Sequence, residues 1–357
     1  MTTLQVGLVG LGLVAQVVHL PVLRTMPERF EVVAGCDLSL SHAEAVAARH
    51  GIPRVHSSLH AMLAAEQLDV VAVLNSDEYH TDATIAALDA GCHVLLEKPV
   101  CLNLADVAAM IAARDAAQRK VTVGYMRRHA DAYRKLQAAL GPAPDIHHVA
   151  MRAIIGPNAY FNEQKKALLV AGDLPEAAAR ERSERADRQV RAAIGDVPEA
   201  SSNAFRLLNR LSSHDFSALR GLVGSPRRVI AASCKRDGRY VSALLDYGSF
   251  VATYETGSDQ VGRFDAHIEI FTGERRWRIQ YDNPYVRHLP TRLECHGAGD
   301  EPFSVIDTAR SPYAIEWMSL WDALVNGKDF EATLEDAAED VRLAIEIVRA
   351  FAPDADA

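Results

Sequence analysis

The stretch "LQVGLVGLGLVAQ", Leu4 to Gln16, decides how the rest of the chain reads. Leu4–Gly10 is a short apolar run ending in glycines, the pattern of a buried strand, and Leu13 to Met26 reads as the helix that follows. Between them stands Gly10-x-Gly12-x-x-Ala15. Gly10 permits a tight turn, Gly12 lets the backbone approach a pyrophosphate, and Ala15 is small enough for the helix to pack close to a sheet. The first helical turn, through Leu13 and Val14, presents N–H groups to an anion. A second feature supports a dinucleotide. Asp37 ends the next apolar run, "FEVVAGCD", 22 residues beyond Ala15. A carboxylate there accepts hydrogen bonds from ribose hydroxyls and repels a 2′-phosphate, which favours NAD over NADP. Leu38 and Ser39 follow it, with no arginine to receive a phosphate.

Outward from this loop, strand and helix signals alternate through the first ~125 residues, as in a parallel sheet. Helices are expected at Ser41–Gly51, His80–Gly91 and Asn103–Gln118. Strands are expected at Leu68–Ser76, in "HVLLEKP" from His93, and at Lys120–Met126. Asn75, near the end of one of these strands, joins the cofactor candidates. After Met126 the period changes. "FDAHIEI" puts Phe264, Ala266, Ile268 and Ile270 on one face, and "RRWRIQY" does the same with Trp277, Ile279 and Tyr281. A period of two marks half-buried antiparallel strands. "DYGS" (Asp246–Ser249) and "FTGE" (Phe271–Glu274) are hairpin turns in this reading. The charged segment Asp173–Asp196, with Glu176/Arg180 and Asp187/Arg191 four apart, reads as a solvated helical surface arm, with a lid over the substrate as the sharper alternative. Two amphipathic helices separated by Asn326-Gly327 end the pattern, the second starting at Thr333.

Composition narrows the classes. The chain of 357 residues, 49% hydrophobic and 24% charged, suits two globular domains. Its net charge of -9 argues against nucleic acid or a membrane surface as partner. Five scattered cysteines without a CxxC pair point to reduced thiols, a cytoplasmic location and no zinc or other metal site. No run approaches the ~20 apolar residues of a membrane span. The apolar start lacks a basic flank and is interrupted by glycines, a poor match to a secretory leader.

The run "HVLLEKP" ends abruptly in Glu97-Lys98-Pro99. Strands of an open parallel sheet end at the ligand face, so Glu97 and Lys98 are expected beside the nicotinamide, with a cis bond before Pro99 as one way of aiming the lysine. A lysine in a partly desolvated cleft takes or relays a proton. With the glycine loop, the segments "AGCHVLLEKP", "VGYMRRH" and "HDFSALRGLVG" make the chain resemble the Gfo/Idh/MocA family of oxidoreductases, which includes glucose–fructose oxidoreductase and inositol dehydrogenases. The resemblance implies an α/β Rossmann domain over 1–125. It implies a substrate and oligomerisation domain over 126–357 with an open-faced, mainly antiparallel sheet, whose C-terminal helices pack back on the first domain. It places the family lysine at Lys98, the family histidine at His214, and a loop histidine contacting cofactor or substrate at His80. Many members carry an aspartate four residues before the histidine. Here that position is Arg210.

Read as one continuous helix, Leu207, Leu208, Leu211, Leu219 and Leu222 form an apolar side, Asp215 falls within it, and Arg210, His214 and Ser217 lie along one edge. Asp215 is then either a carboxylate bonded to an arginine or backbone N–H groups, or a catalytic substitute for the missing aspartate. Arg127 and Arg128 are candidates to anchor a hydroxylated or anionic substrate, or for an interdomain salt bridge. His19, Tyr79, Asn158, Arg210, Tyr281 and Tyr285 complete the polar candidates, with core packing the competing reading for Tyr281. The expected activity is NAD-dependent hydride transfer at a secondary alcohol or ketone of a sugar, cyclitol or related polyol, with His214 as general base and Lys98 polarising the oxygen. The alternatives are a redox-neutral enzyme with tightly held NAD and a non-catalytic NAD-binding regulator. An open-faced sheet with an apolar face in need of cover leads to the expectation of a homodimer or homotetramer.

Overall fold

Leu4–Val9 forms β1, with Val6 and Leu8 fully buried. The computed structural model describes residues 2–142, 144–157, 168–286, 289–298, 303–306 and 310–351. In it β1 lies inside a six-stranded parallel sheet with β2 (Phe30–Cys36), β3 (Arg54–His56), β4 (Val70–Val73), β5 (His93–Leu96) and β6 (Val121–Val123). The order is β3-β2-β1-β4-β5-β6, doubly wound, with the reversal between β1 and β4. Val70 to Val73 and Val94 to Leu96 are all 0% exposed. Strands buried on both faces need continuous rather than alternating hydrophobicity, which is why these runs read so clearly. Helix ends follow local chemistry. Ser39 Oγ accepts from the His42 N–H before Leu40–His50, and Asn103 Oδ1 accepts from the Asp106 N–H before Leu104–Ala117.

The chain forms two compact units, each discontinuous in sequence. The first takes Met1–Gly124, Gln164–Gln189 and Tyr313–Ala338. The helix Pro312–Val325 supplies this unit's core with Trp317, Leu320 and Trp321, packed with Leu20, Leu23 and Phe30. Phe30 and Trp317 meet edge to face at 5.0 Å.

The second unit takes Tyr125–Glu163, Val190–Pro312 and Glu339–Ala357. Its strands are β7 (Ile146–Ile155), β8 (Arg228–Lys235), β9 (Tyr240–Asp246), β10 (Val251–Ser258), β11 (Phe264–Thr272), β12 (Arg275–Tyr281), β13 (Arg292–Gly297) and β14 (Phe303–Ile306). They form one sheet in the order β14-β13-β12-β11-β7-β10-β9-β8, antiparallel throughout except for β7 with β10. One face is apolar: Ala266, Ile268, Ile270, Trp277, Ile279 and Tyr281 are buried, as the period of two predicts. The other face bears the polar residues of the alternation, among them Glu269 and Arg278. It carries ion pairs of Arg152 with Glu255 and of Arg278 with Glu269, all four at least partly exposed. The α/β plus mainly antiparallel architecture is that read from the sequence.

Several elements depart from the patterning. The helix expected over Leu13–Met26 contains a π-turn at Ala15–His19, where the Leu20 N–H reaches back to the Ala15 carbonyl, followed by a short α-helical stretch, Leu20–Leu23. Pro21 has no N–H for the regular ladder. β3, of three residues, and the helix Leu59–Ala65, of seven, are too short to register in the pattern. The strand expected over Lys120–Met126 is confined to Val121–Val123, and Met126–His129 turns into a 3-10 helix. The continuous helix assumed across Leu207–Leu222 is two helices, Glu199–Arg210 and Ser213–Val223. The angular relation of Arg210 to His214 on a single helix therefore does not hold. Arg210 is exposed, whereas His214 is 9% exposed.

Candidate functional site

In the first unit the glycine loop sits at the carboxyl end of β1. Gly10 has φ +85°, and a Cβ there would lie 2.7 Å from the backbone of Asn75, so the ends of β1 and β4 approach this closely only with glycine. A Cβ on Gly12 would meet nothing within 4 Å. That open surface is bordered by Leu13 and Val14 in the first helical turn, with Ala15 buried beneath. At the end of β2, Asp37 Oδ2 accepts from the Leu11 N–H at 2.9 Å and Oδ1 from the Ser39 N–H at 3.1 Å. The Asn75 Oδ1, at the end of β4, is buried without a hydrogen-bond partner. A cradle free of side chains, an orphan acceptor and a carboxylate on neighbouring strand ends fit a dinucleotide.

Lys98 follows β5, half-buried, in a cis bond to Pro99. A chain of contacts fixes its backbone. The Trp317 Nε1–H donates to His19 Nδ1 at 3.1 Å. Indole is only a donor, so the His19 proton belongs on Nε2, which faces Glu97 Oε1 at 3.0 Å. Glu97 Oε2 accepts the Lys98 N–H at 3.0 Å. Burial raises the Glu97 carboxyl, but the hydrogen bond from His19, together with Lys98, outweighs it and leaves Glu97 below the usual carboxylate range. Glu97 thus braces the Lys98 backbone. Glu316 stands near it, 1% exposed with both oxygens unbonded. Burial, reinforced by the Glu97 charge, pushes Glu316 well above the usual range.

His80 opens the helix His80–Asp89. It is 1% exposed, with Nδ1 2.8 Å from the Pro99 carbonyl and Nε2 3.1 Å from the Asn75 carbonyl. Burial holds the His80 ring below its ordinary pKa, so the neutral imidazole has one N–H and donates to one of the two carbonyls, tying the β4 or the β5 rim.

The charged arm forms a helix over Glu176–Ile194, but it is more than a solvated surface element. Arg185 donates to the Glu78 carbonyl and pairs with Asp82, and its guanidinium stacks over Tyr79 at 4.8 Å. Tyr79 donates its hydroxyl to Glu181. Just before the helix, Gln16 exchanges hydrogen bonds with the Leu169 backbone, both at 3.0 Å, and Asp173 accepts from Ser39 and Ser41.

In the second unit a buried cluster surrounds Asp215. Its Oδ1 pairs with Arg127, and its Oδ2 accepts from the Tyr254 hydroxyl at 3.1 Å. The guanidinium of Arg127 lies over Tyr281 at 4.7 Å. Arg128 donates Nε–H to the Ser217 carbonyl at 2.7 Å. Arg127 and Arg128 are 3% and 4% exposed and Tyr281 is 3% exposed, in line with the salt-bridge and core-packing alternatives. Buried charge demands a partner, and that partner is within the core. Asp215 is 0% exposed, the arginine-bonded carboxylate of the first reading, so any influence on a ligand would pass through its neighbours. His214 sits in the first turn of its helix, its carbonyl accepting from Ser217 Oγ. Tyr285 is half-buried beside Asn283, and Asn158 lies outside the described residues. Among the described residues, no group of three or more His, Cys, Asp or Glu is placed to hold a metal ion.

The sequence reading did not mark Gln16, Asp173, Tyr254, Glu316 or Trp317. Only Glu316 left a trace, as an acid inside the apolar stretch "AIEWMSLW".

Strand order, glycine cradle and carboxylate together define a dinucleotide-binding Rossmann unit. Residues 4–125 match the Gfo/Idh/MocA profile, described as an oxidoreductase family with an NAD-binding Rossmann fold. Among curated proteins, D-glucoside 3-dehydrogenase of Escherichia coli (strain K12) is 41% identical over 100 residues, 28% of each chain. Inositol 2-dehydrogenase of Salmonella typhimurium is 33% identical over 137 residues, 38% of this chain and 40% of that one. The matched stretch therefore spans less than half the length of these relatives. Among solved structures, the aldose-aldose oxidoreductase from Caulobacter crescentus superposes with a TM-score of 0.75 at 18% identity, covering 98% of this chain and 97% of that one, a likeness of fold.

Proposed function

We propose that the protein is an NAD-dependent oxidoreductase acting on a secondary alcohol or ketone of a sugar, cyclitol or related polyol. The observation that carries this is Lys98. It stands at the carboxyl end of β5 with its backbone held by Glu97, in the unit that also presents the Gly12 cradle and Asp37. When bound, the nicotinamide supplies the hydride chemistry. Gly12, Leu13 and Val14 receive the pyrophosphate, and Asp37 takes the ribose hydroxyls. Asn75 Oδ1 accepts from the bound group. Lys98 holds a proton against the substrate oxygen, lowering the cost of charge there during oxidation or reduction. His214 takes or returns the hydroxyl proton as general base, while Asp215, Arg127 and Tyr254 hold its helix in position. The two relatives named as dehydrogenases of a glucoside and of inositol support this substrate class. The reduced thiols agree with a cytoplasmic setting.

The test is Lys98→Ala, assayed against a panel of polyols and keto-sugars with NAD or NADH. Turnover should fall about 10²- to 10⁴-fold, with a much smaller change in the calorimetric Kd for NAD. Near-normal turnover in the variant would remove Lys98 from the chemistry.

A further inference from the structure

The run Asp37-Leu38-Ser39-Leu40-Ser41 leads from β2 into the helix Leu40–His50. In this fold a carboxylate at the strand end takes the ribose hydroxyls of NAD, and a 2′-phosphate of NADP would have to be received at the same corner. Ser39 and Ser41 are the natural donors for it, since hydroxyls at a helix start suit phosphate oxygens. In this chain neither hydroxyl is available. Ser39 Oγ donates to Asp173 Oδ1 at 2.5 Å, and Ser41 Oγ donates to Asp173 Oδ2 at 2.9 Å.

Asp173 arrives from more than 130 residues downstream, in the stretch leading into the charged helix Glu176–Ile194. That stretch is anchored at its other end by the paired hydrogen bonds between Gln16 and Leu169. Gln16 belongs to the helix after the glycine loop, so 169–173 runs along the dinucleotide rim from the phosphate loop to the end of β2. The result is two carboxylates on one short turn. Asp37 accepts the Ser39 N–H while Asp173 accepts the Ser39 hydroxyl. The hydroxyl bonds hold the Asp173 carboxyl below the usual range, so it is charged at neutral pH. The titratable neighbour His42, whose ring lies 3.0 Å from the Leu11 carbonyl, acts in the same direction.

We propose that Asp173, carried in by the inserted arm, is a specificity-determining residue that excludes NADP by occupying both serine donors and adding a second negative charge beside Asp37. This deepens the proposed function and rests on the first unit being an NAD site. Asp37 alone discriminates by its contact with the ribose. Asp173 acts one step further out, by removing what would otherwise compensate a phosphate.

The experiment is calorimetric titration of the full chain with NAD and with NADP, in the wild type, Asp173→Asn and Asp173→Ala. The quantity read is the ratio of the two Kd values. In Asp173→Ala the NADP:NAD ratio should fall about tenfold or more, because charge and acceptor are both removed. Asp173→Asn keeps an acceptor for the serines, so it should fall between. A ratio unchanged within twofold in both variants, with NAD still bound by the wild type, overturns this inference and leaves the NAD site standing. Wild-type protein that binds neither dinucleotide overturns the underlying reading and this one with it.

Discussion

Asp215 and Arg127 show what a buried charge requires of its neighbours. Neither side chain is more than 3% exposed, and they face each other with Tyr254 on the second carboxylate oxygen and Tyr281 against the guanidinium. Removing one partner leaves the other ionised in a low-dielectric core. Arg127→Ala is therefore expected to cost about 3–5 kcal/mol, read as a lower urea midpoint. A volume-conserving apolar pair, Arg127→Met with Asp215→Leu, should recover much of that loss, because the desolvation cost disappears along with the attraction. Equal destabilisation by the single and double replacements would show that the pair contributes mainly by shape. The same rule explains why Arg128, with its Nε on a backbone carbonyl, belongs to the core.

At the scale of elements, the helix Pro312–Val325 holds both a brace and a burden. Trp317 sets the His19 tautomer and through it the Glu97–Lys98 contact. One residue earlier, Glu316 is buried without a hydrogen-bond partner and titrates well above its ordinary 4.5. An acid raised in the folded state keeps a proton there that the unfolded chain has released. Its contribution is fully present below the unfolded value and is lost as pH rises toward the folded one, about 1.4 kcal/mol per pH unit. Glu316→Gln keeps the shape without the titration. Its gain in unfolding free energy over wild type should be larger at pH 8 than at pH 5, by urea melts at each pH. An equal gain at both values would mean that Glu316 is already ionised in the native protein.

At the scale of the whole molecule, the open face of the second sheet bears on assembly. It carries the ion pairs Arg152 with Glu255 and Arg278 with Glu269 beside the exposed apolar side chains of Leu244 and Val251. Association through such a face would depend on charge and be weakened by salt. With a chain of 38.9 kDa, light scattering is expected to give at least twice that mass at low ionic strength. Arg152→Glu, or high salt, should shift the population toward the single chain. A monomer under all conditions would retire the homo-oligomer.

Local patterns determined a good deal here. The glycine loop, the buried strands β1, β4 and β5, the alternation in β11 and β12, and the helix caps at Ser39, Asn103 and Thr333 each depend on neighbours within a few residues. Their physics is readable along the chain. The positions of Gly10, Gly12, Asp37 and Lys98 at strand ends followed from the same pattern. Packing decided the rest. That Arg127 meets Asp215, and that the charged arm carries Asp173 to Ser39, are set by groups 88 and 134 residues apart in the chain. Single-sequence periodicity holds no record of such partners. A polar side chain looks the same in the sequence whether it ends in solvent or in the core, and only burial, with the hydrogen bond it then demands, tells the two apart.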